Sequence, residues 1–234
     1  MSHPPASLED VLLRQPVWRG TAFVQTVSRV VPTGFAVLDH ELPGGGWPGG
    51  ALAEILYARE GIGELQLVLP ALAALSAAGH RVAWVAPPYL PYAPALAAAG
   101  FKPSCLTVVR VPSRLDALWA AEQSLRAGTC RAVLVWLCGA RYADLRRLAL
   151  AAENNRGMAL VFRPVEESEH PSPACLRLVL APEAGKVSAR ILKRRGAPAA
   201  KPLRIPIGRP GHAVDGASFP VPGARNPAAR PCIV

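Results

Sequence analysis

Residues 58–65 are the place where this chain would handle a phosphate. They read Ala58-Arg59-Glu60-Gly61-Ile62-Gly63-Glu64-Leu65 and join an apolar run, Ala51–Tyr57, to a helix-like stretch that begins at Glu64. A working phosphate cradle has the form GxxxxGK[ST]. Its glycines let backbone N–H groups close around the phosphates, its lysine meets the β- and γ-phosphates, and its hydroxyl holds Mg²⁺. Here Gly63 keeps the second glycine, but Ala58 stands at the first, Glu64 at the lysine position and Leu65 at the hydroxyl position. A carboxylate at that point repels phosphate. On these residues alone the window reads as a strand-to-helix turn that holds no nucleotide.

Other chemistry is sparse. His3, His40, His80, His170 and His212 are scattered, with no partner at metal-ligand or triad spacing. There is no G-x-S-x-G elbow. Ser76 is the single hydroxyl in the Glu64–Ala78 stretch and reads as a helix-surface or back-bonded serine. The five cysteines, Cys105, Cys130, Cys138, Cys175 and Cys232, are odd in number and form no CxxC pair. That argues against a disulfide framework and a zinc site. Cys130, Cys138 and Cys175 sit in or beside apolar runs and are expected to be reduced core residues. The acidic run Glu166-Glu167-Ser168-Glu169 reads as a solvated loop. No cofactor and no metal are expected.

The elements that would position the window are legible from apolar runs closed by glycine. Strands are expected at Ala51–Tyr57, Arg81–Ala86, Cys105–Val111, Arg131–Leu137 and Met158–Phe162, and helices at Glu64–Ala78, Tyr92–Ala99, Arg114–Ala127 and Ala143–Asn154. Such alternation predicts an α/β fold whose mostly parallel central sheet is covered by helices on both faces. After Glu166 the pattern changes. Leu176–Leu180 and Val187–Leu192 read as an antiparallel hairpin at the sheet edge on the C-terminal side, followed by Leu203–Ile207. Three regions are expected: residues 1–29, an arm with a short helix; 30–207, the core; and 208–234, a Pro/Gly-rich disordered tail.

The chain has 234 residues, 51% hydrophobic and 18% charged, which excludes global disorder. No apolar run reaches the ~20 residues of a membrane helix. The first ten residues, MSHPPASLED, lack a basic start followed by an apolar stretch, so a cytoplasmic protein is expected. The net charge of +10 is unevenly placed. Residues 1–185 carry 16 basic and 15 acidic side chains, whereas residues 186–234 carry 10 basic side chains and the single acid Asp215. Lys186, Arg190, Lys193, Arg194, Arg195, Lys201, Arg204 and Arg209 follow one another without an acid. This segment is expected to meet a polyanion such as single-stranded DNA, or an acidic partner, with a solvated basic tail as the other reading.

The surrounding strings sharpen the reading. Thr33-Gly34, Leu38-Asp39 and Gly45-Gly46-Trp47-Pro48-Gly49-Gly50 through Glu54-Ile55 resemble the entry to the core of RecA-type recombinases, where a TG…LD…GGxPxG…EI string leads into the phosphate loop. Arg190-Ile-Leu-Lys193-Arg194-Arg195-Gly-Ala-Pro198 resembles the basic RecA strand that ends in a KxK…AP turn. The resemblance covers about residues 30–207 in order. Val17-Trp18-Arg19-Gly20, the GGGWPxG loop and the altered phosphate loop resemble more closely the ImuA family, RecA-like proteins encoded with damage-inducible, error-prone polymerase components.

That resemblance implies a RecA-like core in a non-catalytic accessory subunit of an error-prone translesion DNA synthesis complex. It further implies work beside an ImuB-like inactive Y-family polymerase relative, a replicative-type error-prone polymerase and RecA, in the cytoplasm and on the nucleoid when engaged. Related chains labelled SulA-like keep a cell-division inhibitor of the same damage response open, and a residual ATP-dependent recombinase-like DNA-binding protein is the third reading. Relative to RecA, the catalytic glutamate position falls near Pro88, and Trp136 stands where the Mg²⁺-associated aspartate should end its strand. Lost lysine, hydroxyl and both carboxylates together imply that ATP turnover has been abandoned. Lys193 and Arg195 align with the two RecA lysines that reach across the subunit boundary. Trp47 in the Gly/Pro loop and Trp18 with Arg19 in the arm are candidate partner anchors, with packing against the core as the other reading for the two tryptophans.

Overall fold

The computed structural model describes residues 30–154, 157–196 and 201–207. The expected arm (1–29), with Trp18 and Arg19, and the expected tail (208–234) lie outside the described residues.

Eight strands form one mixed sheet: β3 (Ala51–Tyr57), β4 (Arg81–Val85), β5 (Leu106–Val109), β6 (Cys130–Trp136), β7 (Met158–Pro164), β8 (Leu176–Glu183), β9 (Lys186–Lys193) and β10 (Leu203–Pro206). Their order is β10-β9-β8-β3-β7-β6-β4-β5. All pairs from β5 to β8 are parallel, whereas β8–β9 and β9–β10 are antiparallel. The parallel body and the antiparallel hairpin edge are as the sequence predicts. A second sheet of two-residue strands, β1 (Val30–Val31) and β2 (Trp47–Pro48), pairs antiparallel and brackets the helix Ala36–Glu41.

Strand alternation sorts the core into two layers. On one face Ala53, Ile55, Leu134, Leu160, Phe162, Leu178 and Ala189 pack beneath Leu67, Val68, Ala71, Leu72 and Leu75 of the helix Glu64–Ala77. On the other face Leu52, Ala83, Val85, Val133, Val135 and Val161 pack beneath the helices Arg114–Ala127 and Tyr142–Asn154. The first of these two helices starts on a capping serine, with Ser113 Oγ accepting the Asp116 N–H at 3.2 Å, and stops at Gly128, whose φ is +66°.

The strings that carry the family resemblance have structural work here. Asp39 Oδ1 accepts the Thr33 N–H at 2.8 Å, and Thr33 Oγ1 accepts the Phe35 N–H at 3.1 Å. Gly34 lies on the helix Glu64–Ala77, where a Cβ would sit 2.5 Å from Pro70 Cβ. Gly46 passes so close to β1 that a Cβ would lie 2.4 Å from the Val31 carbonyl oxygen. The entry segment is thus held to itself by Asp39 and Gly46 and packs at Gly34 against the helix that follows the phosphate-type loop.

Candidate functional site

β3 ends at Tyr57, and the chain turns through residues 58–63 into the helix Glu64–Ala77. Gly61 (φ +77°) and Gly63 (φ +110°) take the left-handed conformations the turn demands. Their N–H groups point at an anion, but the anion is the chain's own. Glu64 Oε1 accepts the Gly61 N–H at 3.0 Å and Oε2 accepts the Gly63 N–H at 3.1 Å. Glu64 is only 6% exposed, in the first turn of its helix, where the helix dipole favours negative charge. Amide bonds to a carboxylate contribute roughly 1.5–3 kcal/mol each.

Two further features close the loop. The loop packs against the C-terminal strands, for a Cβ on Gly63 would lie 2.2 Å from Ile207 Cδ1 and 3.0 Å from Val187 Cγ2. Leu65, at the hydroxyl position, is half-buried and packs against the core. Burial pushes the Tyr57 hydroxyl well above its ordinary range, and Glu60 and then Glu64 push it further in the same direction. Ala58 is exposed at the first-glycine position.

Neither of the two positions where the RecA resemblance would expect a carboxylate offers a charge. Trp136 is buried at the end of β6, stacked on Phe162 (centroids 4.7 Å, planes 10° apart) and tilted against Trp84 (5.8 Å, 60°). Pro88 is half-buried in the segment after β4, two residues beyond Ala86, whose φ of +51° is the one positive value at a non-glycine among the described residues.

The basic segment divides three ways. Lys186 and Arg190 on β9 and Arg204 on β10 are exposed on the face opposite to buried Val187, Ala189, Ile191 and Ile205, and Arg204 Nε pairs with Glu183 Oε1 at 3.0 Å. Beyond them Lys193 pairs in register with Arg177, level with Glu54, and the chain then runs away from the phosphate-type loop. Lys193 Nζ donates to the Ser172 carbonyl at 2.9 Å, and Lys193 and Arg195 are exposed. Arg194 turns inward, donating to the carbonyl of Glu41 and to Glu41 Oε2 at 2.8 Å. Lys201 is exposed.

The structure corrects expectations at Trp47, Cys138 and Glu167. Trp47 is fully buried, because its Gly-rich flanks fold it under β1 and into the core, and it offers no partner anchor. Among the described residues the exposed tryptophan is Trp119, 62% exposed on the helix Arg114–Ala127. Cys138 lies exposed in the loop beyond β6 rather than reduced in the core, and it is disulfide-bonded; among the described residues Cys105, Cys130 and Cys175 are thiols. The acidic run is not a solvated loop at Glu167, which is 6% exposed in the 3₁₀ turn Val165–Glu169.

Glu167 belongs to an ion network that sequence reading missed. Glu54 Oε1 accepts from Arg163 Nη1 and Ser172 Oγ, both at 2.9 Å, and Oε2 accepts from Arg177 Nε at 2.6 Å. Arg163 also pairs with Glu167, while Arg177 donates to the carbonyls of Glu167 and Ser168 at 3.1 Å. Burial pushes the Arg163 guanidinium below its ordinary range, and Glu54 opposes that shift. Glu54 and Arg163 are fully buried, so this network ties β3, β7 and β8 together rather than meeting a substrate.

Among the described residues no group of three or more His, Cys, Asp or Glu side chains is placed to hold a metal ion, and no helix is long and apolar enough to cross a membrane. Comparison with protein-family models and with curated protein sequences finds no match.

Proposed function

We propose that the chain is a non-catalytic, RecA-like accessory subunit of a damage-inducible, error-prone translesion DNA synthesis complex. The observation that carries the non-catalytic part is the Glu64 carboxylate, which holds the amides of Gly61 and Gly63 that a nucleotide would need. A triphosphate entering this loop would face Glu64 as well as lose those two donors. A like-charge pair at ~4 Å costs about 4 kcal/mol at an effective dielectric of 20. Phosphoryl transfer rests on positioning and charge neutralisation, and Glu64, Leu65, Pro88 and Trp136 provide neither.

The RecA-like part rests on the resemblance of residues 30–207 and is supported by the parallel sheet with its antiparallel C-terminal edge. The translesion role, its ImuB-like, polymerase and RecA partners, and its place on the nucleoid rest on the ImuA resemblance. The exposed Lys186, Arg190, Lys193 and Arg195 support a contact with DNA or with a neighbouring RecA-like subunit. The test is tagged full-length protein recovered from DNA-damaged cells. Recovery of an ImuB-like protein together with RecA is the expected result; recovery of the tubulin-like division protein in their place contradicts this reading and favours the SulA-like one.

A further inference from the structure

Eight large hydrophobic residues are exposed among the described residues, and four of them, Leu115, Trp119, Tyr142 and Leu150, lie on just two neighbouring helices, Arg114–Ala127 and Tyr142–Asn154. Trp119 is 62% and Leu115 65% exposed, at i and i+4 on one helix face. Ala117, Leu118, Ala121 and Leu125 take the opposite side into the core, so the exposure is not forced by packing. Tryptophan is usually well buried, and one left this open costs apolar solvation with no return inside the monomer.

The charges around this ridge are unbalanced. Arg126 Nη2 lies 2.7 Å from Glu122 Oε1, and Arg147 pairs with the other oxygen of the same carboxylate. Arg114 and Arg141 likewise share Asp144, at 3.3 and 3.7 Å. Four guanidiniums thus meet two buried carboxylates, and Arg146 adds a further exposed cation. The exposed acids are Asp116, engaged with Ser113 Oγ at 2.6 Å, and Glu153 near the end of the second helix, so five arginines stand against four carboxylates. Arg126 lies two helical turns beyond Trp119, at i+7 on the same helix face. Aromatic residues and arginines together, with apolar centre and charged rim, are the composition of protein-binding hot spots.

We infer that this two-helix face is a docking surface for an acidic amphipathic helix of a partner protein, with Leu115 and Trp119 as the anchors. The i, i+4 ridge on a convex helix matches the grooves of another helix, and the cation excess selects a partner with Asp or Glu beside its apolar stripe. Single-stranded nucleic acid binds instead in basic grooves with successive stacking rings, and the aliphatic Leu115 and Leu150 provide no ring to stack on. This inference is independent of the phosphate-type loop.

The test uses the full chain and a labelled 18-residue helical peptide with Leu at i, i+3, i+4 and i+7 and Glu at the flanking positions. Its controls are the same peptide with every Glu changed to Lys, and a labelled oligothymidine. The expected result is saturable binding of the acidic peptide alone to this face, weakened about 30-fold by Trp119→Ala and more by Trp119→Glu, with unchanged thermal unfolding of both variants. Equal binding of the acidic and basic peptides, equal binding by parent and variants, or loss of oligothymidine binding on Trp119→Ala would each overturn it. So would tighter peptide binding after removal of residues 1–29, which would make the arm the natural occupant.

Discussion

Ile207 lies against Gly63, its Cδ1 2.2 Å from where a Cβ on that glycine would stand. The last described residue of the C-terminal edge therefore covers the very turn that a nucleotide would have to open. This contact couples the sheet edge to the loop. Gly63→Ala is expected to destabilise the fold, with left-handed strain contributing about 1–3 kcal/mol beyond the clash. Ile207→Ala alone leaves a smaller deficit. In a denaturant double-mutant cycle the pair should cost less than the sum of the singles, because the clash is removed while the strain stays. Strict additivity would show that the two residues do not touch.

Glu54 holds Arg163 and Arg177 in the buried centre of the sheet. Removing one member of such a network leaves uncompensated buried charge, which typically costs about 3–5 kcal/mol. Glu54→Ala is therefore expected to lose that much unfolding free energy in urea. A loss under 1 kcal/mol would mean that water or a rearranged Glu167 takes over the arginines.

Tyr57 gives a pH signature. Its hydroxyl is held above its ordinary value by burial, with Glu60 and Glu64 adding to the effect. A group raised in the folded state binds its proton longer there than in the unfolded chain, so its stabilisation is present below about pH 10 and is lost as pH rises further. Tyr57→Phe should flatten the fall in stability above pH 10 relative to the parent. Parallel alkaline curves for the two proteins would contradict the assigned burial.

The basic strand should separate into a structural and a binding part. Arg194 is tied to Glu41, whereas Lys193 and Arg195 stand exposed on either side of it. Lys193→Ala with Arg195→Ala should weaken single-stranded DNA binding and lower the magnitude of its salt slope by about 1.4. Arg194→Ala should change thermal stability and leave that slope in place. If Arg194→Ala alone reproduces the loss of affinity, the inward reading of this side chain fails.

Most of the architecture was legible because short apolar runs ended on glycines, as at Gly79, Gly100 and Gly128, and a strand or helix followed each. What was not legible depended on register between strands distant in sequence. Glu54, Arg177 and Lys193 lie level across β3, β8 and β9, and no local pattern brings them together. Trp47 looked exposed because Gly and Pro surround it, yet Gly46 lets it tuck under Val31. Trp119 was readable: with Ala117, Leu118, Ala121 and Leu125 on one side of a 3.6-residue period, it had to face away. The substituted loop was read from its residues, but the two amide bonds to Glu64 follow from the turn geometry and had no sequence signal beyond the carboxylate itself.

The most direct test of the account is calorimetric titration of the full chain with Mg-ATP, paired with a phosphate-release assay with and without single-stranded DNA. A loop whose amides are held by Glu64 should give no saturable heat at millimolar nucleotide and no phosphate release above a buffer blank. Saturable ATP binding with DNA-stimulated release, both abolished by Gly63→Ala in a folded protein, would contradict it and return this loop to the working ATPases.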